Sequence, residues 1–153
     1  MRSYQFVVKS LSVIAVAAVV WMAGPRGVRA AAAAEQKSAE PAHRVVVCYF
    51  HRTERCPTCR KIGSYVEEAV KTGFPEQVKA GTVSLCFMDF QDAKNKKYVD
   101  YYRIKGPTLV LMDVHKGKVT AWKPAPKVWT LVAEKDEFLK HVQGKIRAYL
   151  EGK

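Results

Sequence analysis

The chain has 153 residues, enough for one domain plus an N-terminal extension, and its 48% hydrophobic content excludes a disordered chain. Its formal charge is +12, yet the lysines are scattered without the pattern of a recognition helix, so nucleic-acid binding is not expected. The charge reads as a solvated basic face, or as attraction to acidic partners or anionic lipid head groups.

Residues 1–30 read as an export signal. Arg2 and Lys9 supply a positive start, residues 10–24 form an uncharged apolar run, and "VRA" at 28–30 offers small residues for cleavage. The run is short against the span of about 20 residues that crosses a bilayer. A cleaved signal is therefore favoured, with a retained anchor as the alternative. The first 30 residues hold four basic and no acidic side chains, so a chain cleaved there keeps +8 of the +12. Residues 31–43 have no hydrophobic period and read as a flexible linker. The predicted folded domain is 44–153.

"RVVVCYF" (44–50) is a continuous β-prone run. Apolar residues on both faces suit a central strand covered on each side. After the loop "HRTER", Cys56 stands where a helix should start. Pro57 fits the first helical position, because its missing N–H would have no partner there. Ile62, Tyr65, Val66, Ala69 and Val70 recur at helical spacing and Gly73 ends the run. Residues 74–81 suggest one or two further helical turns. "TVSLCFMDF" (82–90) predicts a second buried strand, parallel to the first. Residues 92–104 predict a second long helix, whose tyrosines are too many for one buried face.

"GPTLVLMDV" (106–114) is a third strand entered through proline. "HKGK" (115–118) is a hairpin turn and residues 119–123 are a fourth, antiparallel strand. A short helical segment follows around Val128 and Trp129. Phe138, Val142, Ile146 and Tyr149 mark a final helix. The order βαβαββα predicts an α/β fold with a mixed four-stranded sheet flanked by helices.

"CPTC" after the first strand and "IKGPTLVLM" before the hairpin resemble the thioredoxin-like superfamily over about 105 residues. "CYFHRTERCPTC", "KKYVDYYRI" and the 127–150 tail are similar to a thioredoxin-like family called nitrophenyl compound nitroreductase subunit, ArsF type. That resemblance covers nearly the whole chain after the linker. Its name suggests a link to electron transfer or arsenic-resistance gene clusters. The chain has no nucleotide-binding glycine pattern and no flavin site, so no cofactor is expected and it would not be a nitroreductase alone. The superfamily implies a cis bond before Pro107, placed beside the cysteines. Gly106, Pro107 and Thr108, with Pro57 and Thr58, would then shape a substrate groove. The chain departs from thioredoxin in three ways: Arg55 stands for its tryptophan, Phe50 falls about where it has a buried acid, and "CPTC" replaces its "CGPC", so the direction of electron flow does not carry over.

The thiolate is the reactive form of cysteine. Cys56 at a helix N-terminus meets unpaired N–H groups and the positive end of the helix dipole. Arg55, Arg60 and Lys61 add positive charge, and His51 is a further candidate. The reading makes Cys56 the nucleophile, with a pKa below the free value of about 8.5, and Cys59 the resolving thiol. Such surroundings stabilise the reduced form and make the disulfide more oxidising.

The expected activity is that of an exported, periplasmic or extracytoplasmic thiol–disulfide oxidoreductase. Its partners would be thiol- or disulfide-bearing exported proteins and it would be a monomer, with residues 10–24 as the membrane anchor if retained. The alternatives are a carrier that binds a soft metal or metalloid through Cys56 and Cys59, and a non-catalytic subunit of a redox complex. No zinc site is expected, because no second CxxC is present. His51 is read as a loop residue, and Trp122 and Trp129 as packing residues. Cys48 and Cys86 are read as small buried hydrophobes on neighbouring strands, with a second disulfide as the lesser alternative.

Overall fold

The computed structural model describes residues 41–152. The expected signal or anchor (1–30) and all but the end of the expected linker lie outside them.

Four strands and four α-helices follow the expected order. They are β1 (His43–His51), α1 (Pro57–Gly73), α2 (Pro75–Lys79), β2 (Val83–Asp89), α3 (Lys96–Tyr101), β3 (Thr108–His115), β4 (Lys118–Pro124) and α4 (Lys135–Leu150). Short 3-10 turns at Ala93–Asn95 and Pro126–Trp129 complete the set. The sheet runs β2-β1-β3-β4. β1 is parallel to β2 and antiparallel to β3, and β3 is antiparallel to β4.

β1 is one of two inner strands, with β3, and is buried on both faces. Val45, Val47 and Tyr49 point into one core with Leu109 and Leu111 of β3, Ile62, Val66 and Val70 of α1, and Phe138, Val142 and Ile146 of α4. Cys48 and Phe50 point the other way, with Val110, Met112, Tyr102 and Ile104. The two-residue period of a strand produces this division. It explains why the β1 sequence is apolar without alternation.

Three expectations change. β2 is only partly buried, because it is the sheet's edge and has β1 as its single neighbour. The second helix is much shorter than residues 92–104. The Asp92 carboxylate accepts from the Lys94 N–H at 3.0 Å and starts a 3-10 turn, with α3 following. Arg103 adopts φ 53, and the Ile104 N–H reaches back to the Val99 carbonyl at 2.9 Å, which ends the helix. Finally, His43 belongs to β1 rather than to the linker.

The hairpin follows its sequence. Lys116 (φ 50) and Gly117 (φ 75) form a two-residue turn with both residues left-handed, matching the twist of β3 and β4.

Candidate functional site: a dithiol at the start of a helix

The site lies where β1 ends and α1 begins. Cys56 caps α1 with extended backbone (φ −63, ψ 163), and Pro57 takes the first helical turn. The backbone N–H of Cys59 donates to the Cys56 sulfur at 3.3 Å. This satisfies one of the donors that every helix start leaves open. One turn brings the Cys59 sulfur to 2.9 Å from that of Cys56. All four cysteines are free thiols.

The two thiols differ in surroundings. Cys56 is exposed and Cys59 is buried. Cys56 is held below the usual thiol range, first by its hydrogen bond with the Cys59 side chain and then by backbone N–H groups of Cys59, Thr58 and Cys56. Cys59 is pushed up, first by burial and then by the hydrogen bond and charge of Cys56. Exposure and thiolate character therefore coincide on Cys56.

The basic residues make other contacts. An Arg55 Nη2–H donates to His51 Nε2 at 2.7 Å, and the Arg55 guanidinium lies 5.9 Å from the Phe87 ring centroid. Arg60 Nη1 donates to the Arg55 carbonyl at 2.9 Å. Lys61 Nζ lies over the Tyr65 ring. The lowering of Cys56 comes from hydrogen bonds at the helix start, not chiefly from these charges.

His51 is not a loop residue. It is the last residue of β1 and is 7% exposed. A guanidinium can only donate, so Nε2 accepts and the ring proton sits on Nδ1, which donates to the Arg52 carbonyl at 2.9 Å. This contact positions Arg55.

A groove of about 330 Å³ opens beside the dithiol, lined by Arg52, Glu54, Cys56, Cys59, Pro107 and Trp129. The pairing of Phe50 with Thr108 brings the start of β3 to the end of β1, and so brings Pro107 to the cysteines. The bond before Pro107 is trans, contrary to the expectation from the resemblance: the described residues contain no cis peptide bond. Trans is also the intrinsic preference of an X–Pro bond. Thr108 Oγ1 donates to the Gly106 carbonyl at 2.8 Å. Gly106 has open space where a Cβ would stand. Pro57 and Thr58 are exposed on the first turn of α1.

Two residues were not foreseen. Trp129, expected only to pack, lines the groove and donates from Nε1 to the Pro107 carbonyl at 3.2 Å. Its signal was the indole N–H, which a half-buried tryptophan must place on some acceptor. Tyr49 lies beneath the dithiol. Phe50 faces the opposite core against Tyr102, so it does not stand under Cys59. The Tyr49 hydroxyl is sealed from solvent without a well-directed hydrogen bond. Its pKa is pushed up by burial and then by the charge of Cys59, while it acts on Cys59 in the lowering direction.

Cys48 and Cys86 are directly paired across β1 and β2. Cys48 is fully buried and raised by its hydrogen bond with Cys86 and by burial. These thiols pack within the sheet, away from the groove.

The arrangement is a CxxC pair, exposed thiol first, on an α/β fold consistent with the thioredoxin-like type. No protein-family model matches the chain and no curated protein matches it in sequence.

Proposed function

We propose that the protein is a thiol–disulfide oxidoreductase that acts after export on exported partner proteins. The observation that carries this reading is the asymmetry of the pair: an exposed, lowered Cys56 thiol 2.9 Å from a buried, raised Cys59 thiol. The Cys56 thiolate attacks a partner disulfide. A Cys56–partner disulfide forms, the partner's S–S bond breaks, and one partner thiolate leaves. Cys59 then loses its proton and attacks the Cys56 sulfur. The Cys56–Cys59 disulfide forms and the second partner thiolate leaves, so the partner gains the two electrons the dithiol gives up. The reverse sequence oxidises a partner dithiol. The groove beside Pro107 and Trp129 is where the partner chain would lie.

Export is supported by the charge and apolar pattern of residues 1–30. For the soft-metal carrier reading, His51 offers no free third ligand, because both its ring nitrogens are already engaged.

Trapping tests the proposal. A Cys59→Ser variant should accumulate mixed disulfides with exported proteins, and these should vanish when Cys56→Ser is added. Failure of Cys59→Ser to form a mixed disulfide with any disulfide substrate counts against exchange. The reduction potential of the pair sets direction, between about −270 mV for a reductant of thioredoxin type and about −120 mV for a strong oxidant.

A further inference from the structure

At the end of β1 away from the dithiol, roughly 26 Å from His51 by strand length, His43 begins the strand and is paired directly with His115, the last residue of β3. Asp113 stands two residues before His115, opposite Val45. The two-residue period places all three side chains on one face. The rings of His43 and His115 stack, with centroids 4.2 Å apart and planes 9° from parallel. Both turn Nε2 onto the same carboxylate: His43 Nε2 is 2.7 Å from Asp113 Oδ1, and His115 Nε2 is 3.2 Å from Oδ2. One ligand atom from each residue lies within 4.8 Å of the others. Tyr149, on α4, carries a hydroxyl that is sealed from solvent without a hydrogen bond.

We propose that His43, Asp113 and His115 form a binding site for one divalent first-row metal ion of the zinc or copper type. Two imidazole nitrogens and one carboxylate oxygen suit such borderline ions, whereas calcium and magnesium need more oxygen ligands. A tetrahedral zinc ion holds its ligand atoms about 3.3 Å apart, given bonds of about 2.0–2.1 Å. All the gaps are within 4.8 Å, so none needs to close by more than about 1.5 Å. His115 can supply most of that movement, because it is exposed at a strand end. On binding, each Nε2 gives its lone pair to the metal and the ring proton sits on Nδ1. A fourth position remains for water or an outside ligand. The ion would tie the first residue of the sheet to the β3–β4 hairpin. This site is independent of the dithiol chemistry.

The test uses the full-length Cys56→Ser, Cys59→Ser protein, which removes the dithiol as a competing ligand. Titration with cobalt(II), followed by competition with zinc(II), should show one saturable site with d–d bands and no thiolate-to-metal charge transfer. Adding His43→Ala or His115→Ala should weaken binding at least tenfold. In the same Cys56→Ser, Cys59→Ser protein, cobalt(II) should shift and broaden the ring resonances of His43 and His115 while sparing those of His51 and His141. The last measurement needs no histidine substitution and so is independent of any folding defect such a substitution causes. Three results would overturn the site: no saturable binding, a thiolate charge-transfer band, or an unchanged titration in the His43→Ala, His115→Ala double variant. Any of these leaves a hydrogen-bonded triad that only ties strand ends together.

Discussion

Tyr49→Phe separates stability from chemistry at the dithiol. The Tyr49 side chain is fully buried and its hydroxyl has no well-directed partner in the resting dithiol. A buried polar group without a partner carries a penalty of about 1–3 kcal/mol, so removing the oxygen should leave the fold unchanged or more stable. When Cys59 ionises to attack the mixed disulfide, the same hydroxyl can donate to its thiolate, in line with its lowering effect on Cys59. A hydrogen bond to a charged group contributes about 1.5–3 kcal/mol. Its loss should slow resolution by about 10- to 150-fold, since about 1.4 kcal/mol is tenfold in rate. The pKa of Cys59 should also rise, moving the pH–rate profile to higher pH. The assay is stopped-flow release of a chromogenic thiol from a mixed disulfide preformed on Cys56, across pH 6–10, beside urea unfolding of the same proteins. Resolution within twofold of the parent at every pH would refute the reasoning. So would a destabilised Tyr49→Phe protein, which would mean that the hydroxyl already has a favourable partner in the resting state.

Three further outcomes follow from the structure. Alkylation of Cys56 should reach half its maximal rate below the ordinary thiol pKa of about 8.5, because a lowered pKa keeps thiolate present to lower pH. In Cys59→Ser the midpoint should move upward, since the Cys59 side chain is the first cause of the lowering; an unmoved midpoint would place the cause in the backbone amides alone. Phe138 is fully buried and meets Tyr65 edge-on at 5.4 Å, so Phe138→Ala should destabilise the fold by about 3–5 kcal/mol, read by urea unfolding.

Local sequence was enough to define several elements. Pro57 after Cys56 specifies a helix start, because proline suits a position whose N–H has no partner and the residue before it stays extended. That alone separates the two thiols by one turn, with one at the cap and one inside the helix. Lys116-Gly117 between two β-prone runs specifies the hairpin, because Gly takes positive φ freely. The unbroken apolar run of β1 specifies burial on both faces. The α/β order, and with it the mixed sheet flanked by helices, follows from these pieces.

Tertiary structure decided the rest, because it depends on which strand lies beside which. β2 reads as apolar as β1, but lies at the sheet edge and stays half exposed. Alternation shows that Tyr49 and Phe50 face opposite ways, but only the packing of α1 shows that Tyr49 is the one beneath Cys59. His51 looked like loop because the polar run begins with it, yet its pairing with Asp89 keeps it in the sheet, where it holds Arg55. His43 and His115 are 72 positions apart, and nothing local connects them. The antiparallel register of β1 and β3 sets them side by side over one carboxylate.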